Sequence, residues 1–558
     1  TTGTGNTLLG NAAGDNITSA GYNVAIGDGA LGGFTSGGET GNVAIGSFAM
    51  SAANDTGATE NVVIGAYAGS SGAGGAFKRN IAIGKNALNS TGNANIQGAI
   101  AIGYNAGTAI NHVNAQSSTL VGYLAGSSIT SGAGNVAIGY EAGEDITTGY
   151  YNTLVGYEAG ENLATGTSNV FMGYEAGSGK VLTIGAIAIG YRAGIPNAAS
   201  YDVFIGYEAG AQTKGGGNLG IGRQAGRGSN GISEYGGTSG SLNTSVGHFA
   251  GRYLLGSNNA MFGYGAGYYA TGSYNTFVGK EAGKGNSSAP YSSGQYNVGM
   301  GYQALTTFTT ANNNVAIGYE AGKLITTGAA NVLIGHGVGD TMTSAGANVL
   351  IGQSAGDYIQ TGTSNTVVGF EAFSYGATDA VNSTFIGRGA GNTNFGSSQV
   401  GIGYAAFGQY TQTSGGDAQV FIGLNAGEVT KGGQYNTALG GYALAAAKFA
   451  QETVAIGFGA GQSSSGSFNT LVGTAAGNRI YSGSYSTYIG YEAGYYATGS
   501  SNTFVGAEAG KGGTTSLPHS SGGSNVAIGK SALAGFTTAG GNVAIGGNAG
   551  DALTTGGH

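Results

Sequence analysis

The chain has no cysteine, no tryptophan and three prolines, and only 8% of its 558 residues are charged. Each scarcity excludes a class of protein. Without cysteine there is neither a disulfide scaffold nor a thiolate zinc site. Three prolines rule out a collagen-type helix despite 118 glycines, since collagen needs abundant proline and a three-residue glycine period. No run of 18 apolar residues occurs, so no helical membrane span is expected. Lysine and arginine number 18 against 26 acids, too few to neutralise a phosphate backbone, and no nucleic-acid partner is expected. Sparse charge does not mean disorder, because 41% of residues are hydrophobic.

What is present is repetition. The pattern is Asn, a β-branched residue, any residue, an aliphatic residue, Gly, two variable residues, Ala and then Gly. Asn135–Gly143, Asn152–Gly160 and Asn314–Gly322 are clear copies. With the glycine after the aliphatic residue as a marker, 31 copies run from Gly10 to Gly546. Markers recur every 17 residues from Gly122 to Gly190 and every 19 from Gly27 to Gly103. A short β-branched run bounded by glycine reads as a strand, and the glycines never leave room for a helix of useful length. The fold class expected is all-β: a parallel β-solenoid (β-roll) of about 31 coils with a 16–19-residue repeat, filling residues 1–558 as one continuous domain. Coils stacked at ~4.8 Å would make a rod of ~150 Å.

Stacked columns give each position a meaning. Asn leads 22 of the 31 copies, including Asn135, Asn152, Asn169, Asn314, Asn331 and Asn348. Such a column is expected to form a structural amide ladder, since no ligand needs 22 copies. The third residue after the marker is Ala in 30 copies, which reads as a tight corner. The middle strand residue is Ala, Val, Leu, Met or Phe in 26 copies, so both strand faces are apolar. Val136 and Ile138 share the face read as turned to the solenoid core, and alternation turns Ala137 and its column away from it. On that reading Leu154, Phe171, Phe204, Phe277, Leu333, Phe421 and Phe504 form a self-association face.

Tyr follows the marker in seven successive coils, at 104, 123, 140, 157, 174, 191 and 207. Tyr140, Tyr157 and Tyr174 are candidate ligand-binding residues, weighed against a self-stabilising ladder. Beside them run Glu141, Glu158, Glu175, Arg192 and Glu208. Carboxylates stacked so closely repel, and raised pKa values, Arg192 or a bound cation such as calcium would relieve them; no other cofactor is expected. Long coils put loops near 226–242, 283–296, 407–418 and 510–524. Two of these loops are relatives and supply Pro290, Tyr291, Pro518 and His519 as further candidates for ligand binding. They sit about 228 residues apart, the mark of a large internal duplication.

Catalytic signals are lacking, and neither a catalytic nor a metal site is assigned. Gly27–Gly32 matches G-x-G-x-x-G, but glycine is abundant and no helix follows. The five histidines show no ligand spacing.

The run Asn-Val-Ala-Ile-Gly-x-x-Ala-Gly resembles the head repeats of trimeric autotransporter adhesins. It is also similar to repeats of phage tail fibres and other bacterial surface proteins. The resemblance implies a parallel β-roll, a homotrimer and a place on a cell or virion surface. The function expected is therefore an extracellular structural or adhesive fibre: the shaft of a surface adhesin, a tail fibre or a secreted filament. Its partners would be copies of itself, as a homotrimer or an end-to-end filament, and cell-surface glycans. The alternative is a ligand-binding solenoid for glycans or ice, although the Thr turns are irregular for an ice surface. The chain starts and ends in mid-repeat and is read as a piece of a longer protein, and it is not expected to be an enzyme.

Overall fold

In the computed structural model the chain is all-β and forms two compact units, Thr1–Asn275 and Thr276–His558. The structure describes residues 3–34, 38–51, 57–70, 77–89, 95–112, 116–179, 182–196, 199–228, 240–287, 291–393, 396–408, 418–429, 432–513 and 519–556. Part of each of the four long-coil loops, with Pro290 and Pro518, therefore lies outside the described residues. Among the described residues the first unit has fifteen three-residue strands in its main parallel sheet and the second has sixteen, with no helix. Each unit is a parallel β-solenoid that places one main strand per coil. The first unit adds a minor parallel pair, Phe77–Lys78 with Ile96–Gln97.

The strands pair without slippage. Val136, Ala137 and Ile138 stand opposite Thr153, Leu154 and Val155, and those stand opposite Val170, Phe171 and Met172. Register survives a long return path: Leu219 still stands opposite Thr244 across a marker spacing of 25 residues. The marker glycine ends each strand. Gly139 has φ of +139°, and a Cβ there would lie 2.2 Å from the Gly156 carbonyl oxygen. Conformation and backbone proximity both demand glycine. Two residues on, ordinary side chains occupy the left-handed region: Glu141 at +54°, Glu158 at +49° and Glu175 at +49°. Left-handed backbone costs roughly 1–2 kcal/mol per residue. It is held here because the turned N–H bonds axially, Glu158 N to Tyr140 O at 2.9 Å and Glu175 N to Tyr157 O at 2.8 Å.

The strand faces are the reverse of the sequence expectation. Leu154, Phe171, Phe204, Phe277, Leu333, Phe421 and Phe504 are fully buried within their own chain. They form the solenoid interior and offer no self-association face. Val136 is half-buried and Ile138 exposes 39% of its surface. Alternation says which residues share a face, and leaves open which face is inside. Volume decides that. A single column of varied size fits a closed coil only if its neighbours compensate. Phe204, Phe277 and Phe385 are each followed one coil later by Gly220, Gly299 and Gly401. A Cβ on Gly401 would stand 2.8 Å from the Phe385 ring.

The same exchange works within a coil. Where the residue four after the marker is Leu31, Leu88, Leu305, Phe407 or Leu533, the strand residue is Ala25, Ala82, Gly299, Gly401 or Ala527. All five bulky residues are buried. Where the strand residue is Phe171 the fourth residue is Gly177, whose added Cβ would lie 2.3 Å from the ring. The buried Ala159 and its relatives line the same interior.

Buried asparagines tie coil to coil. Asn152 donates its backbone N–H and its Nδ2 to Asn135 Oδ1, both at 3.0 Å, and Nδ2 also donates to Gly166 O at 2.8 Å. Asn169 bonds to Asn152 in the same way. In the second unit Asn331 bonds to Asn314, and Asn348 to Asn331, at 2.9–3.0 Å. All six side chains are fully buried, which a primary amide tolerates only when it is satisfied. Asp202 stands in this column without breaking it, accepting from Asn218 N at 2.8 Å.

Candidate functional site

With the asparagines inside, three columns of the outer surface bear on function. The first is the pair of strand residues that flank the inward one. These are Val, Ile or Thr before it and Ile, Val, Leu, Met or Phe after it, with Leu219 and Ala260 the exceptions in the first position. No charged residue stands in either position. Ile138, Met172 and Ile205 in the first unit and Ile317, Ile334 and Ile456 in the second are each about two-fifths exposed. Large exposed apolar surface on a soluble chain is unusual and marks a contact surface. Sequence reasoning misplaced this face. The signal that locates it is the volume exchange between the middle strand residue and the fourth residue after the marker, because only an enclosed column needs such compensation.

The second column is the tyrosine stack of the first unit. Tyr104, Tyr123, Tyr140, Tyr157, Tyr174, Tyr191 and Tyr207 follow one another with centroids 4.9–5.2 Å apart and ring planes within 11°. Each ring face is covered by the next ring, so Tyr140, Tyr157 and Tyr174 present edges to solvent. A sugar ring stacks on an aromatic face, and along the run those faces are taken. At the end of the stack the guanidinium of Arg223 lies 5.6 Å from the Tyr207 centroid. Among the described residues the second unit has a short counterpart, Tyr302, Tyr319 and His336.

Carboxylates form the third column. The Glu141 carboxylate accepts a hydrogen bond from the Tyr140 phenol and pushes it up to about 12, with burial adding to the effect. Glu158 does the same to Tyr157, and Glu175 raises Tyr174. One turn further out, burial and then the charge of Glu141 hold Glu144 above the ordinary carboxylate range. Burial and then Glu158 do so for Glu161, against a smaller opposing effect from Ser178. The row closes on cations: Arg192 Nε lies 3.1 Å from Glu175, and Arg227 lies 2.7 Å from Glu208. Among the described residues no three His, Asp or Glu side chains group to hold a metal ion.

Of the remaining candidates, Pro290 and Pro518 lie outside the described residues, and Tyr291 and His519 belong to the second unit. Tyr291 is half-buried. His519 is buried, its ring 5.4 Å from Tyr481 and 5.3 Å from Tyr496. Packed between two tyrosines, it is a structural residue rather than an open ligand contact. No helix among the described residues is long and apolar enough to cross a membrane.

No family model matches the chain, and no curated protein matches it.

Proposed function

We propose that the chain is a structural stretch of an extracellular fibre, assembled from copies of itself along the outward strand face. The observation that carries this reading is the pair of uncharged columns around Val136–Ile138, repeated in register from coil to coil in both units. A partner that stays in contact over many coils needs the same axial step and an equally apolar surface. A second copy of the chain has both. Closed cyclic symmetry would cover the face on every copy at once, and the likeness to trimeric adhesin head repeats favours three. Surface location, and the choice among adhesin shaft, tail fibre and secreted filament, rest on the same likeness. Every coil repeats the same columns, which suits load-bearing and length better than catalysis.

Sedimentation and small-angle scattering test this. A homo-oligomer whose mass is a whole multiple of that of the chain is expected at micromolar concentration. Ile138→Asp with Ile317→Asp should dissociate it and leave the circular dichroism of the coils unchanged. A wild-type monomer, or an oligomer indifferent to both substitutions, would refute the reading.

A further inference from the structure

In the second unit the outer columns change over three successive coils. The second position after the marker runs Glu371, Gly389, Ala405. A Cβ on Gly389 would meet nothing within 4 Å. The floor drops there, and the drop opens a groove of about 590 Å³ lined by Glu371, Tyr375, Arg388, Asn392, Tyr404 and Glu428, among others. That volume lies within the range of small-molecule sites, about 300–1,000 Å³.

The walls are held in place. Arg388 sits in the column between two aromatic rings, its guanidinium 5.4 Å from the Phe370 centroid and 5.9 Å from that of Tyr404. Such stacking orients the guanidinium plane while leaving its N–H edge to bond. Among the described residues it has no carboxylate partner. Asn425 donates to Glu428 at 2.6 Å and fixes that carboxylate. Asn392 accepts from Ser374 Oγ at 2.6 Å, which leaves its amide N–H₂ for the groove. Tyr375 and Tyr404 are about half exposed and, unlike the stacked tyrosines of the first unit, belong to no parallel ring stack among the described residues.

We propose that this groove binds a short, neutral oligosaccharide. Two carboxylates and one guanidinium give it a net negative charge, which disfavours an anionic ligand. Planar carboxylate, guanidinium and amide groups offer the paired donors and acceptors that vicinal hydroxyls require, and the half-exposed Tyr375 and Tyr404 offer apolar ring surface to a pyranose. This binding does not rest on the fibre reading, since a monomeric chain would keep the groove.

The test is a glycan array probed with the full chain, carrying cellotriose, maltotriose, N,N′-diacetylchitobiose and sialylated and sulfated controls. Affinities for any hit are then measured by titration calorimetry. Binding to at least one neutral oligosaccharide is expected, weakened at least tenfold by Gly389→Asn, which fills the floor with a side chain that tolerates φ of +63°. Tyr404→Ser, at an exposed position, should give a similar loss with an unchanged melting temperature, and it decides the matter should Gly389→Asn disturb the fold. Binding to acidic glycans alone, no binding at all, or neutral-glycan binding that survives Tyr404→Ser would overturn the proposal.

Discussion

Within three coils of the first unit, Glu141, Glu144, Asp145, Glu158, Glu161 and Glu175 follow one another, and among the described residues only Arg192 pairs with any of them. In the second unit Glu281, Glu320 and Glu508 each have a lysine three residues on, at 3.0–3.2 Å, and Lys511 reaches Glu492 as well. The coil beneath is the same. In one place like charges crowd and the outer carboxylates Glu144 and Glu161 are pushed up. In the other, Gln303 and Lys284 hold Glu281 down, and Lys511 does so for Glu508. Asp357 departs from its unit's habit, raised by burial and by Asp340. The difference teaches that inward columns and the asparagine ladder fix the backbone, while the outer columns are free to vary in charge.

If the interior is common to both units, its loss should weigh equally on them. Phe171→Ala and Phe277→Ala should each destabilise by about 3–5 kcal/mol, read as lowered local protection in hydrogen exchange of the full chain. Clearly unequal costs would break the claim of one shared core. The ladder comes next. Asn152→Ala and Asn331→Ala each strip an acceptor from the following coil, and each should cost about 1–3 kcal/mol. The amides of Asn169 and Asn348 should be the first to lose protection, and unchanged exchange at both would remove the ladder from the account.

The pH response should then separate the units. A carboxylate raised on folding is protonated more readily in the native coil than in the unfolded chain. Stability around Glu144 and Glu161 should therefore rise as pH falls through their raised pKa, and be lost as pH climbs back through it. Glu281 and Glu508 are lowered, so their contribution is present above the ordinary carboxylate pKa and fades as pH falls through the lowered one. These groups are partly exposed and screened, so the expected changes in local opening are small, about two- to fivefold. Slopes of the same sign in both stretches would contradict the assignment. The smallest effect is spectroscopic. Glu158→Gln should bring the Tyr157 phenol down from about 12 toward 10, seen in its ultraviolet titration.

Much of the fold is legible in the residues, because a column that must stack is repeated. The Asn-Val-x-Ile-Gly strand, its parallel register and its all-β class all follow from periodicity. The orientation of the strand did not follow from Val136 and Ile138 alone, since both faces are apolar and alternation is symmetric between them. It becomes legible only when Phe277 is compared with Gly299 in the next coil, and Ala25 with Leu31 within one. The tyrosine column was legible as a stack. That its faces are mutually covered depends on ring planes, which no spacing encodes. The groove at Gly389 was missed because the cue is a side chain that is missing, two small residues in a column where Glu371 precedes them.

The paired sizes of Phe204 and Gly220, Phe277 and Gly299, and Phe385 and Gly401 bear on heredity as well as packing. Strand register is indifferent to the length of the return path, so unequal crossing-over could add or remove whole coils and leave every hydrogen-bonded rung in place. The number of coils is thus a nearly free genetic variable. The seams are not. A joint cut between Phe277 and Gly299 would set a large ring against a stranger or leave a void, whereas a joint between two alanine-centred coils, such as those of Ala25 and Ala44, would pass unnoticed. Lineages of this protein should therefore differ in length by blocks whose borders fall at small-residue coils, with Phe204, Phe277 and Phe385 each inherited together with its glycine.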